Sequence, residues 1–212
     1  MLIALCLGAL AIGAPFAVRQ ALKTARVQVS EGQFIIPEAK ASFTVPSKWV
    51  TNGHFILDTT QLKVIQKVSK EEWVSAYGPI VDSVLPFEDC LLYITSYDWV
   101  GGGGGAGDLQ MRAYLTGDQP DEITKAVAAK GVGTAHLVKG RSVDSESRDE
   151  DGWRIDHVEF YLWYGDYGGR AGVYFYSRRS GSETLVLVFM HIENRSAIDK
   201  KDSILKSFKM QK

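Results

Sequence analysis

Histidine, cysteine and carboxylate side chains are the groups in this 212-residue chain that could hold a metal or move a proton. Four histidines are present: His54, His136, His157 and His191. His157 and His191 fall on two β-prone stretches that can lie close in one sheet. With Glu159 they would make a metal site or the base of a hydrolase. No His-x-His, His-x-x-x-His or Cys-His spacing supports that use, so the expected role is structural, with no metal or other cofactor and no catalytic residue. Cys90 would be a nucleophile only with a histidine beside it and water within reach, and its neighbours Leu91 and Leu92 predict burial instead. Asp156 and Glu159 point to opposite faces of one strand and make no acid-base pair.

Two unusual compositions invite a ligand and lack the rest of the motif. Gly101 to Gly105, followed by Ala106 and Gly107, would cradle phosphate only with a helix N-terminus and a Lys-Ser/Thr pair behind it. The residues that follow, Asp108 to Leu115, alternate like a strand, so the run reads as a hairpin loop. Ser142 to Gly152 carries Asp144, Glu146, Asp149, Glu150 and Asp151, but not in the order of a calcium loop, and reads as a solvated connection. Interaction chemistry is better represented. Tyr161, Trp163, Tyr174, Tyr176 and Arg178 combine aromatic rings with a cation, the composition enriched at protein interfaces. They are the candidate partner-binding residues, unless a helix covers them as core.

The elements that must position these groups lie mainly in Gly152 to Phe208, where three antiparallel strands and a closing helix are expected. From Trp153 to Tyr164, Val158, Phe160 and Leu162 share one face while His157, Glu159, Tyr161 and Trp163 share the other. After a loop at Gly165 to Gly169, Gly172 to Arg178 repeats the alternation, Arg179 to Ser182 turns the chain, and Glu183 to Ile192 runs back. This last strand is apolar on both faces, which calls for a layer on each side. Ser196 to Phe208 reads as a helix whose inner face is Ile198, Leu205 and Phe208.

Upstream, Gln33 to Pro37 and Ala41 to Pro46 form an opening hairpin, each arm stopped by proline. Phe55 to Val68 suggests further strands. Ser69 to Glu72 is a capping box for a short helix ended by Gly78 and Pro79. Cys90 to Tyr97 is continuous and β-prone, as a central strand would be. Pro120 with two acids predicts a helix over Ile123 to Ala129 stopped at Gly131, and Thr134 to Val138 then reads as a strand.

Met1 to Val18 contains no charged side chain and reads as a signal peptide or membrane anchor. Arg19, Lys23 and Arg26 follow it and, if the run is uncleaved, favour holding that side in the cytoplasm. Residues 19–32 are a linker or contain a first edge strand, and 33–212 form a single domain. The balance of 24 basic and 25 acidic residues gives a net charge of -1 and no surface for nucleic acid. Cys6 lies in the apolar N-terminus, so Cys90 has no disulfide partner in the domain.

Phe43-Thr44-Val45-Pro46-Ser47-Lys48-Trp49 near the start and Ile204-Leu205-Lys206-Ser207-Phe208 at the end resemble the PsbP-like fold family. That family includes the extrinsic P subunit of photosystem II and the DcrB-like bacterial envelope proteins. The resemblance implies an α+β fold, an α/β/α sandwich around a mainly antiparallel sheet, and a largely non-enzymatic role in binding partners or assisting assembly. Together with the N-terminal run, it makes the expected protein a non-catalytic extracytoplasmic binding or assembly module, periplasmic, secreted or membrane-anchored, with a protein partner in the cell envelope. The competing expectation is a metal-dependent or hydrolytic enzyme using His157, His191 and nearby acids.

Overall fold

The computed structural model describes residues 28–30, 33–45, 78–96, 109–137, 143–164, 167–192 and 195–210. The N-terminal run, His54, the strands expected in Phe55 to Val68, the Ser69 capping box and the glycine run lie outside them. Among the described residues no helix is long and apolar enough to cross a membrane.

The fold is α+β, with two antiparallel sheets. The larger has β4 (Leu92–Ser96), β5 (Leu109–Thr116), β6 (Asp144–Glu150), β7 (Trp153–Tyr164), β8 (Tyr167–Ser180) and β9 (Glu183–Ile192), in the order β4-β5-β9-β8-β7-β6. The smaller has β1 (Gln28–Ser30), β2 (Gln33–Ile36), β3 (Ala41–Thr44) and β10 (Lys209–Met210), in the order β1-β2-β3-β10. Strand β1 is the edge strand that the stretch before Gly32 allowed.

Strand β9 carries two dry faces. Leu185, Leu187 and Phe189 pack beneath the β2–β3 hairpin and the closing helix α4 (Arg195–Ser207), with Phe34, Phe43, Ala197 and Ile204 in the same cluster. Val186, Val188 and Met190 pack beneath helix α1 (Gly78–Val84) and the helical stretch of α2 (Pro120–Ala126), a π-helical turn (Val127–Gly131) and α3 (Val132–Leu137). The sheet is therefore sandwiched as expected, but one covering layer is half helix and half small sheet.

Tight turns set the register. Asp151 and Gly152 both have positive φ, 51° and 77°, as a type I′ turn requires, and join β6 to β7 with Glu150 opposite Trp153. Gly181, at φ 62°, turns β8 into β9. The ribbon also continues past the expected loop at Gly165 to Gly169, since Tyr164 pairs with Tyr167 and Leu162 with Gly169.

Several local expectations are corrected by packing. The polar stretch expected as a solvated connection is strand β6, all of it exposed. Its Asp-Gly hairpin signal outweighs its low apolar content, because an edge strand needs only one paired side. Of the strand expected over Thr134 to Val138, the described residues 134–137 are instead part of α3, and Gly131 does not stop the helix. Val127, Gly131 and Ala135, four residues apart, form one buried line against Ile80 and Val84 of α1. Gly78 and Pro79, expected to end the Ser69 helix, are themselves helical in α1, and the residues before them lie outside the described ones. The strand after Cys90 begins only at Leu92 and, among the described strands, pairs with β5 alone.

In α4 the buried line is Ala197, Lys201 and Ile204, with Ile198 and Leu205 half-buried beside it. Phe208 lies past the helix end, half-buried, its ring 4.8 Å from that of Trp153. Backbone and hydroxyl tie the two termini together: the Thr44 amide donates to Ser207 Oγ at 2.8 Å, and Lys209 pairs with Ser42. Ile204 is thus the anchor of α4. Ile204→Ala is expected to cost about 2–5 kcal/mol, read as a lower urea midpoint at unchanged slope.

Candidate functional site

The β7–β8–β9 ribbon brings His157, Tyr174 and His191 to one face. His157 stands directly opposite Tyr174 across the β7–β8 pair, and His191 opposite Gly172 on β9, one step away on the same side. The three rings stack. Tyr174 lies 3.9 Å from the His157 ring at 6° and 5.2 Å from the His191 ring at 11°.

Helix α4 closes the stack with Lys201, only 8% exposed. Its ammonium sits 4.8 Å from the Tyr174 ring centre and donates to the Tyr176 hydroxyl at 3.4 Å. Asp202 is 3.3 Å from the same ammonium. A lysine can be buried here because the aromatic faces and a carboxylate replace part of its hydration, the cation-ring contact adding about 0.5–2 kcal/mol. On the outer side, Glu146 of β6 approaches His157 Nδ1 at 3.8 Å.

The two histidines that sequence placed close together are indeed on neighbouring parts of one face. They do not converge on a point, however, since the Tyr174 ring stands between them. Glu159 turns instead to Arg170, 3.3 Å away. Among the described residues no group of three or more His, Cys, Asp or Glu side chains is placed to hold a metal ion.

The candidate partner-binding residues are divided by the fold. Tyr176 is 5% exposed and sits edge-on to Trp153 and Phe189, so it is core. Arg178 lies over Trp153 at 5.9 Å. Tyr174 is half-buried in the histidine stack. Tyr161, half-buried and opposite Arg170, and Trp163, at the register position opposite Gly168, occupy the far end of the ribbon. The five share one face of the sheet, and α4 with the small sheet covers one end of it.

The opposite face holds a charged cluster that sequence reasoning passed over. Arg112 of β5 is buried at 5% exposure, bonded to Asp82 of α1 and to the Tyr114 hydroxyl at 3.3 Å, with the Phe87 ring 4.5 Å from its guanidinium carbon. Its position was the available signal: Gln110, Arg112 and Tyr114 alternate with the apolar Leu109, Met111, Ala113 and Leu115 on one strand. Burial lowers the guanidinium's proton affinity, but Tyr114, Cys90 and Asp82 outweigh it, so the side chain stays charged. Beside it, burial pushes the Cys90 thiol up to about 11 despite the nearby Arg112, and the thiol donates to the Leu92 carbonyl at 3.0 Å.

Asp156 marks the same face nearer the β6 edge, 1% exposed. It accepts hydrogen bonds from Ser147 Oγ at 2.6 Å and Thr124 Oγ1 at 3.0 Å, binding β6 and α2 to β7. Burial raises its carboxyl above the usual value, against the lowering effect of those two hydroxyls.

These sheets and covers define the chain as an α+β antiparallel sandwich. No family model and no curated protein matches it. Among solved structures, that of LpqN, described as involved in cell envelope biogenesis of Mycobacterium tuberculosis, is similar at 11% identity and a TM-score of 0.34. The similarity covers 49% of this chain and 64% of LpqN, just under two thirds of that protein's length.

Two outcomes follow from the buried groups. In a Cys6→Ser background, Cys90 is expected to resist a thiol reagent at pH 8, where about one thiol in a thousand is ionised, and to react at once in denaturant. Because the Asp156 carboxyl is raised on folding, its contribution is fully present below the unfolded value and is lost as pH rises through the folded one. Asp156→Asn removes that loss. Its stability relative to wild type should improve as pH rises above the ordinary carboxyl value of about 4, read in parallel urea titrations.

Proposed function

We propose that this chain is a non-catalytic, extracytoplasmic module of the cell envelope that binds a protein partner or assists assembly, with PsbP-like kinship. The observation that carries the reading is the use made of its reactive side chains. The Cys90 thiol is buried and held protonated, the Arg112 guanidinium is paired to Asp82, Asp156 is bonded to two hydroxyls, and the two imidazoles flank a phenol ring. Each is taken up by a packing neighbour rather than gathered around a common open point, as an acid-base or metal centre needs.

The uncharged run Met1 to Val18 supports the compartment. The PsbP-like resemblance supports the role: Phe43 of its first motif and Ile204 of its second share one core cluster, and Thr44 and Ser207 are hydrogen bonded. The partner surface in this reading is the far end of the β7–β8 ribbon, around Tyr161, Trp163 and Arg170, whose side chain is 71% exposed. Aromatic and cationic groups there suit a protein surface with acidic and apolar patches.

Protease treatment of intact spheroplasts expressing the full chain with a C-terminal tag tests the compartment. Loss of the tag without lysis is the expected result, and a tag protected until lysis overturns it. A stoichiometric metal in the purified protein that His191→Ala removes would overturn the non-catalytic half.

A further inference from the structure

Strand β6 ends the large sheet. It pairs residue for residue with β7, from Asp144 opposite Glu159 to Glu150 opposite Trp153, and among the described residues no strand lies along its other side. All seven of its residues are exposed, and it has no proline, glycine or bulge to spoil a further pairing. The hairpin fixes which backbone groups point outward. Across the two-residue Asp151-Gly152 loop, Glu150 and Trp153 exchange both hydrogen bonds. By alternation Glu146, Arg148 and Glu150 bond to β7, while Ser145, Ser147 and Asp149 present N–H and C=O to the outside. The Ser145 amide agrees, donating to its own neighbour, the Asp144 carboxylate, at 2.8 Å.

The residues between these carry the charge. An incoming antiparallel strand would meet Ser145, Ser147 and Asp149 as hydrogen-bonded pairs, and Asp144, Glu146, Arg148 and Glu150 as the intervening pairs, where opposed side chains come closest. On that row three carboxylates stand against one guanidinium, which Glu146 holds at 2.6 Å and Glu150 at 3.2 Å. On the other face Ser147 bonds to Asp156, and Asp149 to Arg154 at 2.8 Å, so those side chains are engaged within the sheet. The acidic row repels acidic strands. A second copy centred on Ser147 would set Asp144 against Glu150 at both ends. What the row admits is a strand that brings cations to the carboxylates.

We propose that the outer edge of β6 docks an extended, basic segment of a partner protein, added antiparallel to the large sheet. Backbone pairing supplies the hold and is blind to sequence, while the carboxylate row selects the charge. The segment that fits places lysine or arginine opposite Asp144, Glu146 and Glu150, and an uncharged or acidic residue opposite Arg148. This surface goes beyond the Tyr161 and Trp163 end of the ribbon and stands whether or not that end is used.

The peptide Lys-Thr-Glu-Thr-Lys-Thr-Lys, blocked at both ends, has that pattern and is the probe, read by hydrogen exchange of the full chain in a neutral detergent. At saturation the outward amides of β6 should exchange about ten-fold more slowly, with β9 unchanged. Methylating the threonine nitrogens, which face β6 in this register, should abolish the effect while leaving the peptide's charge intact. Glu146→Lys combined with Glu150→Lys, whose side chains are 63% and 58% exposed, should abolish it too, with unchanged exchange in β9 showing the fold intact. The docking is refuted by no slowing with the probe, by equal slowing with the methylated peptide or with one carrying glutamate for every lysine, or by slowing undiminished in the double variant. Outward amides already protected before peptide is added, by another part of the chain or by a second copy, refute it as well.

Discussion

A strand that is apolar on both faces must be kept dry on both. All six side chains from Leu185 to Met190 are fully buried, and at about 1.5–3 kcal/mol for each large one they form the energetic centre of the molecule. Every other layer is placed by that requirement. Helices α1 to α3 lie over Val186, Val188 and Met190, while α4 and the β2–β3 hairpin lie over Leu185, Leu187 and Phe189.

Such a strand cannot set its own register. A slip by one residue would exchange two equally oily faces at little hydrophobic cost in β9 itself. The neighbours and turns remove the ambiguity. Arg112, which must meet Asp82 of α1, and Asp156, which must meet Thr124 of α2, both belong to the helical side. Tyr174 and Tyr176, which meet Lys201, belong to the other. Placing any of these on the wrong side would bury an uncompensated polar or charged group, at a cost of several kcal/mol. Gly181 and the Asp151-Gly152 pair supply the positive φ values that close the hairpins in that register.

The same economy explains why the chain carries side chains capable of chemistry without gathering them. Lys201 against Tyr174 on one face, and Arg112 with Asp82 and Asp156 with Thr124 on the other, connect layers, while the imidazoles and the thiol are taken up by neighbours in their own sheet or segment. Each connector is polar enough to specify its partner and apolar enough to be buried, which is how Lys201 comes to sit in the inner line of α4 with Ala197 and Ile204.

What could be read from the residues alone was whatever depends on spacing along one strand or helix. The alternation in Trp153 to Tyr164, the double-sided apolar run to Ile192, the opening hairpin, the α2 start at Pro120 and the burial of Cys90 are local patterns, and the structure follows them. Tertiary structure decided what depends on partners distant in sequence. It made a strand of the polar Asp144–Glu150 because β7 was there to pair with it, and carried a helix through Gly131 because α1 packs on that line. It also put Tyr174 between two histidines that sequence could only place near each other. Periodicity tells which side of an element is oily, whereas only the assembled layers determine which residue from elsewhere in the chain lies against it.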